Sequence, residues 1–206
     1  SVTLSGSEST YVGGLVGRNS NDGIVTNSFA TGSVTGSTRV GGLVGRNTDA
    51  TINTSYATGT VTGSTAGGFV GEQVNGATVD ESYATGDVTG EKRRGSVSTG
   101  GFVGINNGTV TASYATGAVS TASKINTSYG IGGFAGVNDA GGIVTTSYAT
   151  GDLNGSGSGP IAGGLVGLNF GSVFPSYWDK GTTNQSNAIG SNRNGGTSTN
   201  LAGFGS

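Results

Sequence analysis

Two aspartates hold equivalent places in the runs Tyr83-Ala84-Thr85-Gly86-Asp87-Val88 and Tyr148-Ala149-Thr150-Gly151-Asp152-Leu153. Paired carboxylates are what glycosidic hydrolysis needs, one as acid and the other as base. Were the two runs stacked two layers apart, the carboxylates would stand about 9.6 Å from each other, at the upper limit for an inverting pair. No Lys or Arg recurs beside them, and solubility of an exposed strand accounts for both. The chain has no histidine, cysteine or methionine, which leaves it without imidazole, thiolate or the usual transition-metal ligands. Asp22 and Asp139 sit in Gly-rich turns that lack the spacing of a calcium loop, and Glu91-Lys92-Arg93-Arg94 reads as a solvated charged loop. The sequence therefore assigns no catalytic, cofactor-binding or metal-binding residue, and an enzyme is not expected.

Three other sets of residues recur at one place in a repeated pattern. Phe29, Tyr56, Tyr83, Tyr114, Tyr148 and Tyr177 share a position, as do Thr58, Thr85, Thr116 and Thr150 two residues later. Stacked one per layer, the rings would protect a sheet face or form a flat stripe edged by hydroxyls, suited to the apolar faces of sugars. Asn19, Asn47, Asn106, Asn138 and Asn169 also share a position; stacked amides there would bond to one another as an internal ladder, and Gln73 could continue it. Rows such as Thr58-x-Thr60-x-Thr62 raise an ice-binding surface as an alternative, although Asp87, Ala118, Asp152 and Asn154 interrupt the grid. A polysaccharide-degrading β-helix enzyme, using Asp87 and Asp152, is the other alternative.

What must position these sets is the repeat itself. Gly-Gly-(Leu/Phe)-(Val/Ala)-Gly opens at Gly13, Gly41, Gly67, Gly100, Gly132 and Gly163, a period of about 26 to 33 residues within the range of stacked repeats. Length varies mainly before the next Gly-Gly, with the longest inserts at 90–99 and 120–131, as bulges from one corner of a solenoid would. Each unit holds three β-prone runs, such as Gly42 to Arg46, Thr51 to Ala57 and Thr60 to Thr62, and no helical periodicity. The units are too small for propeller blades. The expected fold is all-β: a parallel β-helix, or β-solenoid, of about six coils of three short strands each. It spans residues 1–179, and residues 180–206, rich in Gly, Asn, Ser and Thr, form a segment capping the last coil.

Orientation follows from what each position tolerates. The residue before the valine of the last run is Ser33, Thr60, Asp87, Ala118 or Asp152, so it faces water. Alternation then turns Ser, Ala, Gly and Val inward and Tyr and Thr outward; the rival register buries the aromatics and breaks alternation at the Ala-Thr-Gly bend. Two residues before the aromatic stand Asn27, Thr54, Glu81, Ala112, Thr146 and Pro175, a mixed set that marks a corner. Trp178 replaces the small alanine in the last unit, as a lid on the core would.

Composition agrees. The 206 residues include 44 glycines and 2 prolines, and a 32% apolar content suffices for a narrow core; glycine at fixed places favours a solenoid over a linker. A net charge of -2 gives no case for nucleic acid or an anionic membrane. No apolar run approaches the roughly 20 residues of a membrane helix. The lack of Cys and Met suits an oxidising exterior, and the sequence shows no signal peptide; a secreted parent would carry it outside these residues.

The recurring Gly-Gly-Leu-Val-Gly-x-Asn with Ser-Tyr-Ala-Thr-Gly-x-Val resembles the GLUG repeat of large surface proteins, including filamentous-haemagglutinin-like adhesins of bacteria and some immunoglobulin A peptidases. It covers Gly13 to about Asp179, and Ser176-Tyr177-Trp178-Asp179 is similar to the family's usual close. Unit three departs, with Glu72-Gln73 in place of x-Asn, and unit six lacks Ala-Thr-Gly. The resemblance implies an extracellular β-helical stalk or adhesive module rather than a catalytic part. The expectation is thus a non-enzymatic segment of a larger secreted or cell-surface polypeptide, binding glycans or surface proteins multivalently, without nucleic acid or membrane insertion. End-to-end self-association of open coils is a further expectation.

Overall fold

The computed structural model describes residues 1–4, 11–91, 97–122, 130–155 and 161–205. Its backbone winds as a parallel β-solenoid of six turns. Each full turn has five short strands where the sequence suggested three, so the expected strand count is corrected. In chain order the second turn runs Arg39–Gly41, Val44–Thr48, Thr51–Asn53, Tyr56–Ala57 and Val61–Gly63. These lie in sheets I to V, and every sheet is parallel and in register from turn to turn. Two features hid the extra strands. The run from Thr51 to Ala57 is broken by a left-handed corner at Thr54, and the strand ahead of each Gly-Gly carries no recurring residue type before its buried middle position.

Five of the six positions the sequence marked are left-handed corners; Pro175 is not among the positive-φ residues. Asn27, Thr54, Glu81, Ala112 and Thr146 have φ of 48, 47, 46, 45 and 49°. That conformation costs a non-glycine residue about 1–2 kcal/mol. A serine row offsets the cost. Ser113 Oγ donates to the Thr111 carbonyl at 2.7 Å and accepts the Ser82 N–H at 3.2 Å. Ser55, Ser82 and Ser147 do the same in their own turns. Backbone groups put out of line by the corner thus find partners inside the coil.

The alternation deduced from Asp tolerance holds: Ser55, Ala57, Gly59 and Val61 are buried, while Thr58 and Thr60 are exposed. Two apolar columns result. The larger, among sheets II, III and IV, contains Phe69, Phe102 and Phe134, with ring centroids 4.8 Å apart. The smaller lies between sheets I and V and is built from Val12, Val40, Val34, Val61 and Val88, continued by Val119, Ile131 and Leu153. Sheets I and II touch between them. A Cβ on Gly45 would lie 2.5 Å from the Val12 nitrogen, and one on Gly42 would lie 2.1 Å from the Gly68 oxygen and 2.9 Å from Ala57 Cβ.

Residues after Asp179 continue the winding instead of merely draping it. Ile189–Asn192, Thr197–Ser198 and Leu201–Phe204 add strands to sheets II, III and IV. Sheets I and V gain no strand there. The segment α1, Lys180–Thr183, which packs on the sheet IV strands Ser176–Asp179 and Leu201–Phe204, is capped by the Asp179 carboxylate, which accepts from the Gly181 and Thr182 N–H groups. Trp178, 6% exposed, takes the alanine position beside Gly164 and donates its indole N–H to the Gln185 carbonyl at 2.9 Å. The ring closes the larger column.

Gly42→Ala is expected to lower stability by more than about 3 kcal/mol, because its Cβ meets backbone that cannot retreat. Urea unfolding checks it; a loss under about 1 kcal/mol would contradict the packing described.

Candidate functional site

The aromatic position forms an outward file on sheet IV. Successive rings from Phe29 through Tyr56, Tyr83, Tyr114 and Tyr148 lie 5.2, 4.9, 5.0 and 4.9 Å apart, with interplanar angles of 7, 2, 4 and 5°. The spacing is the strand spacing of a parallel sheet, so the backbone register sets the stack. Phe29, Tyr148 and Tyr177 are exposed, and Tyr56, Tyr83 and Tyr114 are half-buried by their neighbours. Tyr177 keeps the register opposite Tyr148, although the recorded ring stack ends at Tyr148.

Burial within the stack changes the chemistry of one phenol. The pKa of Tyr114 is raised above 10, first by burial and then by the like charge that Tyr148 and Tyr83 acquire on ionising. A raised value in the folded state means the file is at full stability below the ordinary tyrosine range and loses stability as pH climbs through it.

The threonines two residues on form a second row. Thr58, Thr85 and Thr116 are exposed and Thr150 is half-buried, and the N–H of each bonds to the alanine carbonyl of the preceding turn at 3.0 Å. Farther round the coil the hydroxyl grid is uneven: Thr60 donates to Ser33 at 3.0 Å. Asp87 accepts the Ala118 N–H at 2.8 Å, while Asp152 accepts the side-chain amides of Asn154 and Asn184. Each carboxylate lies just ahead of a sheet V strand and is engaged by these partners.

Inside, the asparagine position is buried throughout. Nδ2 of Asn19 donates to Asn47 Oδ1 at 3.0 Å, and the links Asn106 to Asn138, Asn138 to Asn169 and Asn169 to Asn192 measure 2.8, 2.9 and 2.8 Å. Gln73 holds the same register between Asn47 and Asn106. Its longer side chain carries Nε2 to the carbonyls of Ala77 and Thr109 instead, leaving Oε1 buried without a partner. The chain of amides is therefore interrupted at the third turn. Asn192, which carries it into the seventh layer, follows no Gly-Gly motif and could not be placed from sequence. The serine row went unrecognised as a ladder because its geometry depends on the left-handed corner.

Among the described residues there is no group of three or more Asp or Glu placed to hold a metal ion. No helix among the described residues is long and apolar enough to cross a membrane. Lys92, Arg93 and Arg94 of the charged loop fall outside the described residues. The open depression lined by Asp22, Asp49, Thr51, Asn75 and Thr78 is built from turn residues with positive φ at Asp22, Asp49 and Asn75.

Asn138→Ala should cost about 3 kcal/mol, since it strips a buried donor from the Gly142 and Ser172 carbonyls and from Asn169 Oδ1, and a buried acceptor from Asn106 Nδ2; chemical denaturation measures it. In an absorbance titration of phenolate, Tyr114 should ionise above the ordinary tyrosine range and Tyr148→Phe should bring its value down, with stability falling as pH rises through the same window.

The model of the GLUG motif matches residues 8–35, 36–62 and 63–89. A stretch of 53 residues is 53% identical to Halomucin of Haloquadratum walsbyi (strain DSM 16790 / HBSQ001); it covers 26% of this chain and, to the nearest percent, 0% of the relative. The chain thus spans a very small part of that relative's length. Each matched copy reaches into the sheet V strand of one turn, ending at 35, 62 and 89, and the later turns repeat the same five strands in the same register. Residues 8–89 thus match three GLUG repeats, and each matched repeat corresponds to one turn of the solenoid.

Proposed function

We propose that this chain is a stiff, non-catalytic stalk segment of a secreted or cell-surface protein, and that its aromatic file is an adhesive surface for glycans or for proteins that carry them. The observation that carries the reading is the outward stack of near-parallel rings at 4.9 to 5.2 Å. An unbroken column of π-faces and edges, with a threonine row beside it, offers weak and identical contacts once per turn. Such contacts gain strength by repetition when the ligand is itself repetitive. Stiffness comes from five parallel hydrogen-bonded ladders running the length of the rod, which keep the contacts at fixed spacing. The GLUG repeats and the likeness to Halomucin support a repeat module over an enzyme, and the aspartates once weighed as a hydrolytic pair are engaged locally.

A glycan array probed with the native chain and with the Tyr83→Ala/Tyr114→Ala double variant tests this. Binding to neutral glycans should fall about tenfold or more in the variant while its circular dichroism stays native, because both side chains lie outside the core. Equal binding by the two proteins would remove the file as the adhesive surface.

A further inference from the structure

Away from the aromatic file, three arginines gather where sheets I and II meet in the first two turns. Arg18 and Arg46 are register partners in sheet II, and Glu72 follows Arg46 in the third turn. Tyr11 and Arg39 are register partners in sheet I. Nε of Arg39 and Nε of Arg46 both contact one oxygen of Glu72, at 2.5 and 3.0 Å. The same two guanidiniums lie 5.5 and 5.3 Å from the centre of the Tyr11 ring, and Arg46 Nη1 donates to the Tyr11 hydroxyl at 2.8 Å. One carboxylate therefore serves two cations. Arg18 is exposed and forms no ion pair with a described residue. Among the described residues, three guanidiniums stand against one carboxylate in this patch, on a chain whose net charge is -2.

We propose that this patch binds a linear polysaccharide bearing uronic-acid carboxylates. The inference rests on the adhesive reading above and names a ligand class for a surface separate from the aromatic file. Glu72 engages Arg39 and Arg46 through their Nε edges, so the Nη groups of Arg39 and one of Arg46 keep donors for a second acceptor. A guanidinium presents its donors in a planar fork that fits carboxylate geometry, and bonds of this kind are among the stronger surface contacts. Arg18 and Arg46 recur at one-turn spacing, about 4.8 Å, so a ligand spanning both must carry anionic groups close together along its length. A polymer of acidic sugars meets that requirement.

The test measures binding of the whole chain to polygalacturonate, with neutral dextran, dextran sulfate and a single-stranded oligonucleotide as the other arms, at low and raised salt. Arg18→Gln, a change at an exposed side chain that forms no ion pair among the described residues, should weaken polygalacturonate binding about tenfold and flatten its salt dependence. Glu72→Gln, which removes the resident carboxylate while keeping its shape, should tighten binding several-fold. Tyr83→Ala/Tyr114→Ala should leave it unchanged. The proposal is overturned if Arg18→Gln binds like the native chain, if Glu72→Gln weakens binding, or if dextran, dextran sulfate or the oligonucleotide binds as well as polygalacturonate. Loss of uronate binding in the aromatic variant alone would also overturn it, moving the ligand to the file. A failed uronate arm beside a positive neutral-glycan array rejects this patch and leaves the aromatic surface standing; the reverse result does the opposite.

Discussion

The structure depends on a place in each turn where no side chain fits. At the Gly-Gly step the chain turns from sheet I into sheet II, and the two sheets then lie so close that a methyl group on either glycine would sit within about van der Waals overlap of backbone in the same or the next turn. Opposite this step stands the alanine column of Ala57, Ala84, Ala115 and Ala149, all fully buried. Small residues facing small residues pull the cross-section in at the waist, dividing one interior into two apolar columns. Neither column is wide, yet a fold of 206 residues can be filled by valine, leucine and phenylalanine when each needs to reach only a few ångströms.

Once the waist is fixed, parallel register does the rest. Residues at one place in the repeat become vertical neighbours at strand spacing, so a choice made in one turn is made again in the next. Identical residues then interact with copies of themselves. Asparagine bonds to asparagine, serine to the backbone of the next serine, phenylalanine packs on phenylalanine within, and tyrosine stacks on tyrosine without. A solenoid tolerates a residue whose contacts with its own kind are favourable and penalises one whose contacts are not, which is why charges of one sign are sparse along the rows. Where a row changes type, a local exception appears. Glu72 follows Arg46 and Gln73 follows Asn47 in the same turn, placing an ion pair and a break in the amide ladder side by side.

This arrangement also governs what the molecule offers to partners. A rod of stacked turns has no deep cleft, and its surfaces are stripes. The aromatic file presents repeated apolar contacts, while the arginine patch presents charge over a short distance at one end. The Trp178 lid and α1 close the larger column at the far end, and three strands of a seventh layer cover it.

By itself the sequence determined the winding, the length of the turn and the facing of most residues. Periodic glycine signals close backbone approach, and tolerance of aspartate before the valine reveals which side meets water. The corner was legible too, because only a position free of packing accepts Asn, Thr, Glu and Ala alike. The number of strands per turn was not legible, since a left-handed residue interrupts a run without altering its composition. Nor was the fate of residues 189–204, whose pairing depends on edges left open by the sixth turn rather than on any motif of their own. The direction of the Gln73 amide and the convergence of Tyr11, Arg39, Arg46 and Glu72 were decided only in three dimensions. They join residues from different turns and different sheets, and the distance between sheets I and II that brings them together is set by the glycines of the folded waist.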